Sequence, residues 1–171
     1  DAGAVEIARG DFAGIQASAF SWTTGYVRGL QLGALVNCVH GNLAAFQVAA
    51  VNADYGLTSA GMSVGVVNYA MSYTGVEVGG LNWNNAQSCG LQLAVASANQ
   101  EEFTGAMLGA FNFARTFTGF QCGAINMADE ATGFQLGVFN AAERLQGVQI
   151  GLLNTIVQSS LPFMVVMNAS F

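Results

Sequence analysis

One short unit recurs along nearly the whole chain, and this repeat constrains the fold more than any other feature. The clearest copies read GAMLGAFN, GFQCGAIN, GFQLGVFN and GVQIGLLN, and they begin at residues 105, 119, 133 and 147. Looser copies extend the pattern toward the N-terminus at spacings of 14 to 16 residues. The sequence therefore contains about eleven copies of G-h-Q-h-G-h-h-N, where h is apolar, each followed by a variable segment. The looser copies occupy 14–21, 29–37, 45–52, 61–68, 75–82, 90–97 and 161–168.

The first half of each unit alternates in a way that predicts a β-strand. Along 147–151 the side chains of Val148 and Ile150 point to one face, and Gln149 points to the other. The apolar residues at these positions also favour strands. The phase changes after the second glycine, and the asparagine that closes the unit tolerates a tight corner. Each unit is therefore predicted to be a strand, a corner, a shorter strand and a second corner.

Stacking such units in parallel predicts an all-β fold, a parallel β-solenoid of β-arch coils. Like side chains would then lie over like, about 4.8 Å apart, in a rod of about 50 Å. We expect a single repeat domain, with residues 1–13 as an N-terminal strand or weak cap and residues 14–171 as tandem coils. Its interior is expected to hold aliphatic and aromatic layers such as Leu136, Ile150 and Phe139. Because both strand faces carry apolar residues in places, the sequence leaves open which face is interior.

The parallel stack predicts two columns of amide side chains, which can bond along the stacking axis as they do in cross-β assemblies. The glutamine column would contain Gln16, Gln31, Gln47, Gln92, Gln121, Gln135 and Gln149. The asparagine column would contain Asn52, Asn68, Asn82, Asn112, Asn126, Asn140, Asn154 and Asn168.

Two other folds compete with the solenoid at this level. Glycine spaced by three residues also occurs in packed transmembrane helices, but glycine at two positions of every unit costs a helix about 1 kcal/mol each. A transmembrane up-and-down β-barrel would alternate strand direction, so its successive loops should differ. Here every copy ends in the same corner, which favours the solenoid.

Composition excludes several classes of partner. Only 8% of residues are charged, the net charge is -6 and no lysine is present, so a nucleic-acid partner is not expected. The same charge disfavours an anionic membrane surface. Polar residues interrupt every apolar stretch, so no membrane span is predicted.

The cysteines lack the spacing of a zinc site. Cys38, Cys89 and Cys122 are an odd number, so an oxidising compartment would leave one free or paired between chains. Cys38 and Cys89 are the candidates for an intermolecular disulfide, and Cys122 is at least as well explained as a buried thiol.

Catalytic chemistry finds little support in the sequence. His40 is the one histidine, and it lies two residues from Cys38, in an irregular segment that predicts a loop or packed residue. The acidic pairs 101–102 and 129–130 fall in the variable segments, where solvated corners are expected. Phosphate-binding glycine motifs are absent. We therefore expect no enzyme activity, no cofactor and no metal.

The G-h-Q-h-G-h-h-N copies between residues 14 and 168 resemble a family of bacterial surface-repeat proteins that string similar glycine- and asparagine-marked units in tandem. This resemblance implies an extracellular or cell-surface location. In composition alone, the chain is also similar to the sheath proteins of methanogenic archaea.

The ends of the repeat array suggest a function. The last copy is as apolar as the others, and no charged or helical cap follows it, so the terminal coils are predicted to be open edges. The sequence thus predicts a structural protein that self-assembles end to end into a sheath, filament or surface layer, with lateral sheet packing as a further contact. Its expected partner is itself.

A monomeric cell-surface solenoid that binds a ligand along one face is the alternative. Its candidate stripe is aromatic: Trp22, Tyr69, Trp83 and Phe113. A row of threonines is a candidate for ice or surface binding: Thr58, Thr74, Thr104, Thr118 and Thr132.

Overall fold

A computed structural model describes residues 2–160 and 162–171, without the side chain of Ala2, and these residues are almost entirely extended. Neighbouring strands from β1 to β8 pair in parallel, so the predicted all-β solenoid is confirmed and the helical and up-and-down alternatives are wrong. No helix in this part of the chain is long and apolar enough to span a bilayer. The strands are β1 (Ala2–Ala8), β2 (Phe12–Thr23), β3 (Val27–Val39), β4 (Leu43–Val48), β5 (Val51–Asp54), β6 (Ser59–Ala70), β7 (Tyr73–Asn84), β8 (Ser88–Ile156) and β9 (Phe163–Ser170).

The repeat register is preserved from coil to coil. Each coil places the first residue of its G-h-Q-h-G-h-h-N unit over the first residue of the preceding unit. The 69 residues of β8 continue this winding, because each of its later unit-opening glycines lies against the carbonyl of the one before. The stacked positions are Gly14, Gly29, Ala45, Gly61, Gly75, Gly90, Gly105, Gly119, Gly133 and Gly147.

The unit-opening glycine is required by the backbone. In Gly105, Gly119, Gly133 and Gly147 the φ angle lies between +123° and +146°, a region that residues with a Cβ rarely adopt. A Cβ on Gly147 would also approach the carbonyl oxygen of Gly133 to 1.9 Å. These glycines therefore serve the sharp bend of the coil and the close approach of stacked backbones.

The amide face of the strand is the interior, and the apolar face is largely outside. Gln149 is fully buried, while Leu136 is 38% exposed and Ile150 and Phe139 are only half-buried. The expected interior layer of Leu136, Ile150 and Phe139 is therefore wrong. Because strand side chains alternate between faces, burying the glutamine sends its two apolar neighbours outward.

Apolar packing inside the coils is concentrated near the second corner. One cluster lies in β8 and contains Phe103 and Phe117, whose rings stack with centroids 6.3 Å apart. The other spans the coils of β3 to β7 and contains Leu43 and Tyr73. The core is thus a narrow apolar column that runs beside the amide columns.

The two ends of the solenoid differ. β1 adds a parallel half-coil, in which Ala2–Ala8 pair with Ala17–Thr23. At the other end, the chain turns at 157–160 and β9 runs antiparallel to the last coil. Such a short turn reverses the chain, whereas another parallel rung would need a full coil.

The antiparallel β9 corrects the expected placement of the last copy. Its described part, 162–168, is not one more parallel coil, because β9 pairs antiparallel with Gly147–Thr155. Among the described strands only β8 pairs with β9, so this end of the solenoid still presents an open strand edge. Asn168 was expected to extend the asparagine column above Asn154. It lies opposite Gln149 instead, where its side chain is buried at the end of the glutamine column.

Candidate functional site

The asparagine column forms two ladders of hydrogen bonds inside the coils, and Ser97 stands in the column between them. In each rung the Nδ2 group donates to the Oδ1 atom of the next asparagine, as Asn126 does to Asn140 at 2.8 Å. The same Nδ2 group also donates to a main-chain carbonyl of the next coil, which for Asn126 is that of Leu136 at 2.9 Å. Both N–H donors are thereby satisfied, which removes most of the cost of burying an amide. The two ladders are Asn37 to Asn82 through Asn52 and Asn68, and Asn112 to Asn154 through Asn126 and Asn140.

The glutamine column runs beside it with the opposite hydrogen-bond direction. Gln149 Nε2 donates to Gln135 Oε1 at 2.8 Å, and Gln135 Nε2 donates to Gln121 Oε1 at 2.7 Å. These amides therefore donate toward the N-terminus, whereas the asparagines donate toward the C-terminus. A second glutamine ladder joins Gln47, Gln31 and Gln16. Gln92 is outside both ladders and donates to Glu77 Oε2 at 2.7 Å.

The second glycine of the unit makes room for the asparagine ladder. A Cβ on Gly137 would lie 2.6 Å from Asn126 Nδ2 and 2.9 Å from Asn140 Oδ1. Gly123 and Gly151 are in the same position relative to their own rungs. The G-h-Q-h-G-h-h-N pattern is therefore explained residue by residue: one glycine for the bend, one for the asparagines, and two amides for the ladders.

The first apolar face is a flat outer surface formed by the residues on either side of the glutamine column. One of its rows contains Ile15, Leu30, Phe46, Met62, Val76 and Leu91 in register. Within β8 the same row continues through Phe120 and Phe134, whose rings stack at 5.6 Å. The parallel row contains Ala17, Leu32, Val48, Val64, Val78 and Leu93.

The second apolar face lies on the other side of the coil and flanks the asparagine column. One row contains Val36, Val51, Val67, Leu81 and Ala96, and the other contains Trp22, Cys38, Ala53, Tyr69, Trp83 and Ala98. The corner between the two faces is also apolar, with Val66, Val138 and Leu152 more than half exposed. Apolar side chains thus cover most of the outer circumference.

The two ion pairs of the described residues lie on the edge where one coil passes to the next. This charged edge in β8 includes Arg115 and Asp129, whose Nε and Oδ2 atoms are 3.9 Å apart, and the ion pair of Arg144 with Glu130. All four side chains are about half exposed, so each pair contributes at most about 1 kcal/mol. The acidic pairs predicted to be solvated corners, 101–102 and 129–130, lie on this edge.

His40 belongs to an aromatic row that the sequence stripe only partly identified. Its ring lies 4.5 Å from that of Trp22 and 5.0 Å from that of Tyr55, which in turn is 5.2 Å from Tyr69. Tyr69 is in register with Trp83. The stripe prediction missed His40 and Tyr55 because they are not in register with it. They stand two residues after Cys38 and Ala53, which are the register partners of Trp22 and Tyr69.

A groove of about 520 Å³ opens next to this row, beneath the half-coil β1. It is lined mainly by apolar side chains, including Ile7, Phe20 and Trp22, with Glu6 as the acidic residue. Its position at the first coil follows from the fact that β1 covers only half of β2.

The structure places the two candidate disulfide residues in different surroundings. Cys89 is exposed and free, whereas Cys38 is free but buried, with its Sγ atom 3.7 Å from His40 Nδ1. Burial raises the pKa of the Cys38 thiol to about 11, and the nearby Asp54 adds to this shift. Of this pair, Cys89 is therefore the thiol available to another chain.

Comparison of the chain with protein-family models, curated proteins and solved structures found no match.

Proposed function

We propose that this protein is a structural subunit that self-associates side by side through its two apolar faces. One observation carries the proposal: the outer faces of the coils are largely apolar, the interior is lined with amides, and the two ion pairs lie on one edge. Large contiguous apolar surfaces on proteins mark sites of association. The hydrogen-bonded interior stabilises the fold of each subunit, so the apolar outer faces are free to contact other subunits.

The size of the apolar faces supports this proposal. The stacked rows span about 45 Å at 4.8 Å per rung, and two rows give a footprint of about 500 Å² per face. Monomers rarely expose contiguous apolar patches above a few hundred Å². A standard interface buries about 800 Å² per partner, so the two faces together exceed what one stable contact requires.

The periodicity favours a second copy of the same chain as the occupant. Rows of side chains repeated every rung form ridges and grooves, and another copy has the same spacing, so the rows can interdigitate along their whole length. The charged edge then stays in water and limits packing to the flat faces. End-to-end joining, as expected from the sequence, would use the outer edge of β9 at the C-terminal end, since among the described strands only β8 pairs with β9.

The proposal retains an extracellular or cell-surface location, for a sheath, filament or surface layer. Its support is the G-h-Q-h-G-h-h-N resemblance together with the surface just described.

Analytical ultracentrifugation and negative-stain microscopy test the proposal. We expect the wild-type protein at micromolar concentration to sediment far faster than a 17.7 kDa monomer and to form ordered bundles. Leu136→Lys places a charge on the first apolar face and should release monomers. Thr132→Lys adds the same charge at an exposed position near the charged edge of the same coil, and it should assemble normally. A monodisperse wild-type monomer, or equal assembly of the two variants, would refute the proposal.

A second candidate function rests on the groove beside the aromatic row. An apolar groove of this size with one carboxylate fits a small amphipathic ligand that carries a cationic group. Trp22 lines the groove, so binding of such a probe should change its fluorescence, and Trp22→Phe should abolish the change. Titration of dodecyltrimethylammonium below its micelle concentration, with no fluorescence response, would exclude this use of the groove.

A further inference from the structure

Polar pairs cross the interior between the glutamine position and the second corner of the coil. Gln47 Nε2 donates to Asp54 Oδ1 at 3.1 Å, and two coils further along Asn84 Nδ2 donates to Glu77 Oε2 at 2.7 Å. The equivalent pair in the following coil is Asn99 and Gln92, at 2.9 Å. Each of these pairs forms a hydrogen-bonded rung that crosses the interior of its own coil.

The coil of β6 lacks this rung. In register, Ser63 lies between Gln47 and Glu77, and Ala70 lies between Asp54 and Asn84. Ser63 instead donates to Asn68 Oδ1 at 2.9 Å, and an alanine has no polar group. Neither side chain reaches across the coil, so the polar rung is missing at this level, and we call this missing rung the gap. The buried side chain of Tyr73 packs in one apolar cluster with Ala70 next to it.

Five buried polar atoms around this gap have no hydrogen-bond partner. They are Gln47 Oε1, Glu77 Oε1, Asn84 Oδ1, Ser59 Oγ and Tyr73 OH. All five side chains are at most 2% exposed, and they belong to the coil of β6 or to the coils on either side of it. Buried polar groups are normally satisfied, and five of the eleven unpaired side-chain atoms among the described residues fall in these three coils.

The same region holds two buried carboxyl groups and no buried cation. Asp54 and Glu77 are 1% and 2% exposed, and the arginines of the two ion pairs are on the charged edge. Burial raises the pKa of each carboxyl to about 7, and the charge of Glu77 adds to the shift at Asp54. Uncompensated carboxylates in a protein interior are costly, so a positive charge at this level would stabilise the fold.

We propose that the gap in the β6 coil binds one divalent cation of calcium's size, between the side chains of Asp54 and Glu77. Every polar atom around the gap is an oxygen except the amide nitrogens that already donate, and oxygen ligands select hard cations. Two carboxylates match a double charge. Calcium tolerates irregular sets of carboxylate, amide and hydroxyl oxygens, whereas magnesium demands an octahedron of short bonds.

The dimensions are compatible with such an ion. Two coils are about 9.6 Å apart along the axis, so a cation at the level of Ser63 lies about 4.8 Å from each flanking rung. A tilted carboxylate or one water molecule spans that distance. No three His, Cys, Asp or Glu side chains converge in the described part of the chain, so neutral oxygens and water complete the coordination.

Metal content and metal-dependent stability test this proposal. The protein is unfolded in urea with a chelator, refolded at pH 8 in either calcium chloride or chelator, freed of excess metal and measured by inductively coupled plasma mass spectrometry. We expect about one calcium per chain after refolding with calcium. The melting temperature should rise by about 5 °C relative to the chelator-treated protein. Magnesium chloride and potassium chloride at matched ionic strength should give much smaller shifts.

Variants locate the site. Glu77→Gln introduces the residue that the next coil has at this position, Gln92, and Asp54→Asn introduces the residue found two coils further along, Asn84. Both variants should therefore fold, and both should lose bound calcium and the stability shift. Ser63→Gln keeps the two carboxyls but fills the gap, with the same result expected. Asp129→Asn on the charged edge is the control and should behave as wild type.

Three outcomes overturn the proposal. They are absence of calcium and of any melting shift in the wild type, a shift caused by potassium alone, or a calcium shift that survives Glu77→Gln and Asp54→Asn. The first would mean that the gap holds water and protonated carboxyl groups only.

Discussion

The asparagine ladder can be tested by removing one rung. Asn126 is fully buried in β8 and makes three side-chain hydrogen bonds. It donates to Asn140 Oδ1 and to the carbonyl of Leu136, and it accepts from Asn112 Nδ2. Asn126→Ala deletes all three bonds, and it leaves one acceptor on Asn140 and one donor on Asn112 without partners inside the stack.

The expected cost follows from these orphaned groups. A buried donor or acceptor left unsatisfied costs about 1–3 kcal/mol. With the lower end of this range applied to each, two such amide groups and one carbonyl predict a loss of about 3–5 kcal/mol in the free energy of unfolding. For a chain of this length, with an m-value near 2 kcal/mol per molar urea, the unfolding midpoint should fall by about 2 M.

Far-UV circular dichroism in a urea titration measures this loss. Met127→Ala is the matched control, because its side chain is the next in sequence but lies outside at 43% exposed. Asn126→Ser should fall between the two, since Ser21 Oγ already donates to Asn37 Oδ1 at 2.7 Å in another rung. If Asn126→Ala unfolds at the same urea concentration as Met127→Ala, the ladder contributes no stability and the reasoning fails.

Three further predictions follow from local geometry. Gly133→Ala should lower the urea midpoint, because its φ of +123° is strained for alanine and the new Cβ would lie 2.2 Å from a carbonyl oxygen of the coil before. In the folded protein an alkylating reagent should label Cys89 and spare the buried Cys38, as read by peptide mass spectrometry. Labelling of Cys38 at the same rate would contradict its placement. Without divalent cations, stability should fall as the pH rises from about 4 through about 7, because the folded state keeps Asp54 and Glu77 protonated after the unfolded chain has released those protons. Thermal melts of the Asp54→Asn, Glu77→Gln double variant should show a flatter pH profile, and an unchanged profile would assign the effect elsewhere.

Much of the fold could be predicted from the repeat alone. Identical units at a constant period stack like residue over like, and a glutamine placed between two apolar residues specifies an alternating strand. The amide columns follow from the same logic, because amides one rung apart can bond to each other whatever surrounds them. For this reason the stacking of Gln135 and Asn126 in amide columns could be predicted from the sequence.

The inner face could not be predicted in this way. Alternation places Gln149 on one face of the strand and Val148 and Ile150 on the other. It does not show which of the two faces is enclosed by the coil. General hydrophobic reasoning favours the apolar side and is wrong here. The direction of closure depends on the glycine bends and on the hydrogen-bonding capacity of the enclosed amides, and both are properties of the whole stack.

The two places where the molecule departs from its own repeat were also decided by tertiary structure. The sequence of the last copy does not show whether it forms a parallel rung or the reversed strand β9, since the side chains alternate in the same way in both. The gap at Ser63 and Ala70 is visible only when their neighbours two coils apart are brought face to face. The sequence by itself determined the period and the residues that stack, because these are local and repeated. The tertiary structure decided which strand face is enclosed, how the last strand pairs and which carboxyl groups are buried. These features depend on contacts between residues far apart in the chain.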